Sequence, residues 1–186
     1  MTTPIDHRTA EVAWAHWAVA DRIKHPEHWV YSEGANRMAN IGQWPIKFPI
    51  TTDCSGSITL YAYLAQGNDP NGLNFDHEGY TGTLLSHEEH LALWVKQNPV
   101  ATIQDIEVGD YVVYGPGVGE HVAIIVEIQG NDILTVSHGE QGNPTYCWVN
   151  PPSANPHGYP VDGRMPQTFL RNVTENTKPV RMPPAA

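Results

Sequence analysis

Basic residues and long apolar runs are what this chain is short of, and each shortage removes a class of function. Lys and Arg number 10 against 20 Asp and Glu, a formal net charge of −10 over 186 residues. That balance opposes binding to nucleic acid or to an anionic membrane through a basic patch, and it opposes simple electrostatic adhesion to a negatively charged cell wall. Nothing approaches the ~18 apolar residues of a membrane span. The segment from Met1 to Arg8 lacks the basic region and the roughly 7–15-residue apolar core of a secretory signal. The expectation is a protein made in a cytoplasm, with no nucleic-acid partner and no membrane insertion.

Cysteine is scarce as well, with Cys54 and Cys147 the two present. Without a secretion signal the compartment is expected to be reducing, which disfavours a bridge between them. Cys147, inside the apolar run Thr145-Tyr146-Cys147-Trp148-Val149, reads as a buried and inert thiol.

Packing material is plentiful. At 40% hydrophobic content the chain supports one core, so a single domain over 1–172 is expected, followed by a Pro-rich tail or linker stub over 173–186. No internal repeat is visible. Val12, Ala15/His16, Val19 and Ile23 follow a helical period, which predicts an amphipathic helix over 8–24 that Pro26 ends. Residues 27–53 read as a long irregular segment carrying Trp29, Tyr31, Trp44 and Phe48, and 67–85 as a second, Gly- and Asn-rich loop. Ser86 and Glu89 form a capping box that predicts a helix through 86–97. Strands are expected near 110–114, 121–128, 132–137 and 145–150, with an edge strand at 167–171. This is an α+β chain with helices on an antiparallel sheet of about 4–6 strands.

The stretch Asp53-Cys54-Ser55-Gly56 holds the chemistry. Ile58, Tyr61, Ala62 and Ala65 share a helical face, which puts Cys54 in the first turn. There unpaired backbone N–H groups and the positive end of the helix dipole favour a thiolate, so an exposed, low-pKa nucleophile is expected. A base is available on the β-branched run Gly119-Glu120-His121-Val122-Ala123-Ile124-Ile125-Val126, which opens on His121. The next run, Asp132-Ile133-Leu134-Thr135-Val136-Ser137, ends on His138, and Gln129-Gly130-Asn131 joins the two as a hairpin. A cysteine on a helix with two histidines on adjacent strands supplies nucleophile, base and orienting group. Glu140 or Asn143 are alternatives for the last role.

Together, Asp-Cys-Ser-Gly at a helix start, Gly-x-His-Val on one strand and Val-Ser-His-Gly on the next resemble the NlpC-type cell-wall cysteine peptidases over roughly residues 28–150. The lead-in Ile106-Glu107-Val108-Gly109-Asp110-Tyr111-Val112-Val113-Tyr114 resembles the same family. The resemblance implies a papain-like core and hydrolysis of amide bonds in peptidoglycan stem peptides. It implies Cys54 as nucleophile, His121 as base and later acid, His138 as the residue orienting His121, and Tyr31 as part of the oxyanion site. Asp53 and Ser55 are expected substrate contacts, and no metal or organic cofactor is expected. The segments Tyr31 to Arg37, Asn68 to Gly72 and Gly79 to Leu84 are similar to versions in actinobacterial phages. That likeness implies a lysin or virion-associated enzyme, with a separate wall-binding module or virion protein as a possible partner. Two other readings stay open: an amidase of the CHAP type, which cuts between glycan and peptide, and a non-catalytic wall- or tail-associated module of the same fold.

Ten histidines invite a metal hypothesis. His87 and His90 stand three apart beside Glu88 and Glu89, one position short of the H-E-x-x-H spacing, so a solvated helix face is the expectation there. His7, His16, His25, His28 and His157 show no partner pattern in the sequence.

Overall fold

A side-chain cap starts each of the two long helices. Asp6 accepts a hydrogen bond from the Thr9 N–H at 2.8 Å and opens α1 (His7–Lys24). Asp53 accepts from the Gly56 N–H at 2.7 Å and opens α2 (Cys54–Ala65). Each cap satisfies a backbone donor that the first turn leaves unpaired. Arg22 and Lys24 in the last turn of α1 complement its dipole. In this computed structural model the residues described are 6–76, 78–86, 91–96, 106–115, 120–130, 132–139, 142–149, 166–172 and 178–184. The expectations for Glu140, His157 and the 87–90 cluster fall outside them.

Between the two helices the chain makes a short turn at Pro26–His28 and two short strands, β1 (Trp29–Tyr31) and β2 (Ile50–Thr52), which pair in parallel. After α2 come α3 (Thr81–Ser86), β3 (Leu91–Lys96), β4 (Tyr111–Tyr114), β5 (His121–Gln129), β6 (Asp132–Gly139), β7 (Gly142–Val149) and β8 (Pro166–Asn172). The six later strands form one antiparallel sheet in the order β3-β8-β4-β5-β6-β7. The α+β class and the hairpin between β5 and β6 stand as expected.

Three expectations are corrected. The helix read over 86–97 is instead α3 followed by β3. The run Leu91-Ala92-Leu93-Trp94-Val95 suits either state, and pairing with β8 decides for the strand. Strand β8 is not an edge, because it lies between β3 and β4. The buried face of α1 is Ala10, Trp14, Ala15, Ala18 and Val19, whereas Ile23 is 70% exposed. Ala15 and Val19 of the expected face are buried and Val12 packs against the core, so the correction is confined to Ile23.

Both faces of the central strands β4, β5 and β6 are largely buried. Tyr111, Val113, Val122, Ile124, Val126, Leu134, Val136 and Leu170 pack under α1 and α2. Val112, Tyr114, Ala123, Ile125, Ile133, Cys147, Val149 and Phe169 form a second cluster on the other side. Both cysteines are free thiols, and they sit in these different clusters, with Cys54 on the helix side. Segment 178–184, read from sequence as tail, lies against the helices. The Trp14 indole donates to the Arg181 carbonyl at 2.8 Å, and the Arg181 guanidinium stacks 3.7 Å over Trp44. No described helix is long and apolar enough to cross a membrane.

One buried carboxyl makes the fold pH-sensitive. Glu11 is fully buried, accepting from the Tyr111 hydroxyl and the Asn172 amide, and burial raises its pKa to about 7 against the opposing pull of His7 and Arg8. A raised acid binds protons more tightly in the folded state, so its contribution to stability is fully present below about pH 4.5. It falls away as pH rises to about 7. Glu11→Gln keeps the shape and removes the charge. In urea titrations the variant should match the parent near pH 4 and exceed it by up to about 3 kcal/mol at pH 8. Equal stability of the two at pH 8 would show that Glu11 ionises without cost.

Candidate active site

The sequence places the reactive groups at element ends, and the fold gathers most of them at the N-terminus of α2. Parallel pairing sets Tyr31 beside Thr52, the residue before Asp53. Asp53 is more than a cap. One carboxylate oxygen accepts from the Gly56 N–H and the Ser55 hydroxyl, and the other from Arg37 Nε at 2.6 Å. Arg37 continues to Ser55 Oγ at 2.7 Å and to the Gly79 carbonyl. One guanidinium thus ties the loop before β2, the start of α2 and the loop before α3 into one wall. Gly56 is required by this arrangement, since a Cβ there would lie 2.2 Å from Thr52 Oγ1.

Cys54 lies inside that wall, 8% exposed. Burial and the neighbouring Asp53 carboxylate push its thiol up to about 11, against the Val122 N–H, the Ser55 backbone and the Thr81 side chain, which favour the anion. The expectation of an exposed, low-pKa thiolate is therefore corrected. Desolvation together with a like charge one residue away outweighs the helix terminus. Those three stabilising groups nevertheless mark where the sulfur sits, between the start of α2, the start of α3 and the mouth of β5.

His121 begins β5 and is 5% exposed. It pairs with Tyr114, their rings 6.0 Å apart, and its Nε2 lies 2.6 Å from Ser137 Oγ. From β5, the group that acts on the Cys54 thiol is the backbone of the next residue, Val122.

His138 lies elsewhere. Its Nε2 is hydrogen-bonded to the Tyr61 hydroxyl at 2.8 Å, its ring meets Trp29 and Tyr61 edge-on, and its Nδ1 has no hydrogen-bond partner. Burial, with a smaller push from His121, holds its pKa at about 3, so the ring is neutral. The sequence expectation is that His138 orients His121; in the structure its hydrogen bond goes to Tyr61, and Ser137 is a residue hydrogen-bonded to the His121 ring. Along a strand neighbouring side chains point to opposite faces. Ser137 leaves β6 toward the side of Tyr114 and His121, while His138 follows Val136 toward the helices.

The Tyr31 hydroxyl is close enough to Cys54 and Asp53 for their charges to act on it. That hydroxyl donates to Glu33, and burial, followed by Glu33, raises its pKa. Sequence reasoning missed three groups: Arg37, Thr81 and Ser137. On the outer side of Arg37 an open cleft of about 480 Å³ runs between Ala35, Met38, Leu73, Phe75 and Asp76. The loop lining it is held by Asp69, which accepts from the N–H groups of Asn71, Leu73 and Phe75. Asn71 in turn links α2 to α3 through Thr59 and Thr83.

No family model matches the chain, and no curated protein matches it. Among solved structures it is similar to the peptidoglycan hydrolase RipB from Mycobacterium tuberculosis, with 16% identity and a TM-score of 0.46 over 91% of this chain. The chain spans 65% of the length of that structure. It is also similar to the P60 domain of the antigen MAP1204 from M. avium subspecies paratuberculosis, with 19% identity and a TM-score of 0.41, covering 88% of this chain and 98% of that one.

Proposed function

We propose that this protein is a cysteine peptidase that hydrolyses amide bonds in the stem peptides of bacterial peptidoglycan. The observation that carries the reading is the thiol at the capped start of α2, flanked by the Val122 N–H at the mouth of β5, with His121 one residue earlier. The resemblance of Asp53-Cys54-Ser55-Gly56 and of the two histidine strands to the NlpC type supplies the substrate class. In this mechanism the His121 ring, which in the structure meets Ser137 and Tyr114, swings toward the sulfur at the mouth of β5 and takes the thiol proton as Cys54 attacks the amide carbonyl. The Cys54 N–H and the Tyr31 hydroxyl stabilise the oxyanion, His121 returns the proton to the leaving amine, and water releases the thioester. With a thiol near 11, deprotonation accompanies attack; no standing ion pair is needed. In this reading the stem peptide lies in the cleft lined by Arg37, whose guanidinium also bonds Asp53 and Ser55 beside the thiol. We further infer a phage lysin or virion-associated enzyme, made in a host cytoplasm and acting on the wall after release, from the likeness of its loop segments to phage versions.

Digestion of defined muropeptides followed by mass spectrometry tests the reading. Stem fragments that each carry a new amino group are expected, with the glycan–peptide link intact. Intact stem peptides freed from glycan would instead establish the amidase, and absence of turnover would favour the non-catalytic module.

Ser137 enters as a positioning residue, and its effect is separable from that of His138. Loss of one neutral hydrogen bond, about 1 kcal/mol, predicts that Ser137→Ala lowers kcat roughly five- to tenfold with KM unchanged. Tyr61→Phe, which removes the partner of His138, should leave kcat within about twofold. The reverse ranking would return the orienting role to His138.

A further inference from the structure

We propose that the turn after α1 binds one first-row divalent metal ion, of which zinc fits best, through His25, Glu27 and His28. The site lies away from the thiol and is independent of the peptidase reading.

The local sequence His25-Pro26-Glu27-His28 dictates the geometry. Pro26 ends α1 and starts a 3₁₀ turn over Pro26–His28, closed by the His28 N–H donating to the His25 carbonyl at 3.0 Å. In a 3₁₀ turn side chains three apart eclipse, so the two imidazoles face each other with centroids 4.7 Å apart and planes inclined by 22°. His25 Nδ1 is 3.6 Å from Glu27 Oε1, and one donor atom from each of the three residues falls within 4.8 Å of the others. A tetrahedral zinc with ligand bonds near 2.0 Å holds its donors roughly 3.3 Å apart. Closing the gap takes up to about 1.5 Å of side-chain movement, and the His25 and Glu27 side chains, 50% and 69% exposed, have room to make it.

The second observation concerns His28 alone. Its ring is clamped before any ion arrives, stacked on Phe48 at 3.7 Å, with Nδ1 3.0 Å from Asp21 Oδ2. The Trp29 indole donates to that same Asp21 oxygen at 2.8 Å and fixes the carboxylate. A carboxylate on Nδ1 makes that nitrogen the protonated one and leaves the Nε2 lone pair for a metal, as in the carboxylate–histidine–zinc arrangement. Two imidazoles and one carboxylate select zinc, nickel or copper over magnesium or calcium, and a water fills the fourth position. A bound ion would pin the end of α1 to β1, whose Trp29 packs against His138.

The test uses the full, tag-free chain in a Cys54→Ala/Cys147→Ala background, so that thiols do not compete. Titration calorimetry with zinc chloride should show one equivalent bound, and the ion should raise Tm by mass action. His25→Gln and Glu27→Gln should each weaken binding at least tenfold without changing the metal-free Tm. His28→Gln should weaken it at least tenfold with a lower metal-free Tm, because its ring packs on Phe48 and meets Asp21, and Asp21→Asn should weaken it about tenfold. Should the cysteine background fold poorly, cobalt(II) absorption of the wild-type chain gives the same answer. Tetrahedral d–d bands without thiolate charge transfer are expected, and His28→Gln should abolish them. No saturable binding below millimolar zinc, an unchanged Kd in the His25→Gln/His28→Gln double variant, or a cobalt spectrum dominated by thiolate would each overturn the site.

Discussion

Replacing Cys54 by alanine should lower the hydrolysis of defined muropeptides by at least about 10⁴-fold and leave the circular dichroism spectrum unchanged. The magnitude follows from the loss of the covalent route, since no other thiol is placed to replace it: Cys147 lies in the cluster on the opposite face of the sheet. Folding should survive, because the side chain removed is small and the helix start is held by Asp53, Arg37 and Gly56. Release of new amino groups, followed at equal protein concentration, is the measurement. A loss of less than tenfold in a folded variant would remove Cys54 from the chemistry.

His121→Ala carries the second large effect, with a pH signature. With the thiol held at about 11, only about one molecule in 10⁴ is ionised at pH 7. An enzyme stripped of its base must draw on that fraction. Activity at pH 7 should therefore fall about 10³- to 10⁴-fold. It should then recover close to tenfold per pH unit up to about pH 10, whereas the wild-type profile flattens much earlier. The pH dependence of kcat/KM for the two proteins decides the matter. A variant whose profile parallels the wild type, at whatever level, would assign the base to another residue.

Much of this site was legible in the sequence where local chemistry sets the structure. Cys54 at the first turn and His121 at a strand mouth follow from residue type and immediate neighbours, whereas Asp53, expected to contact substrate, is in the structure also the helix cap. What escaped was decided by packing. Both faces of β5 and β6 are buried, so no polar–apolar alternation tells which face a given residue takes. His138 was therefore expected beside His121, where the structure places its neighbour Ser137. Arg37 meets Asp53 and Ser55 from 16 and 18 positions away, and its bond to Gly79 spans 42; no local pattern announces such contacts. The same closure brings Thr81 onto the sulfur and buries it, which is why the thiol titrates high despite its helix terminus. In β3 and β8, sheet order overrode a helical pattern and an apparent edge, since pairing between strands some 75 residues apart competes with local propensity.

The central claim is that the sulfur of Cys54 forms the bond to substrate. A chloromethyl ketone built on a stem-peptide fragment tests this in one measurement, with peptide mapping of the inactivated protein by mass spectrometry. Cys147, whose thiol is also raised to about 11 by burial, serves as the internal competitor. One equivalent of label on Cys54, incorporated in step with loss of activity and blocked by intact muropeptide, is the predicted result. Complete inactivation with the label on Cys147 or elsewhere, or full labelling of Cys54 with activity retained, would contradict it.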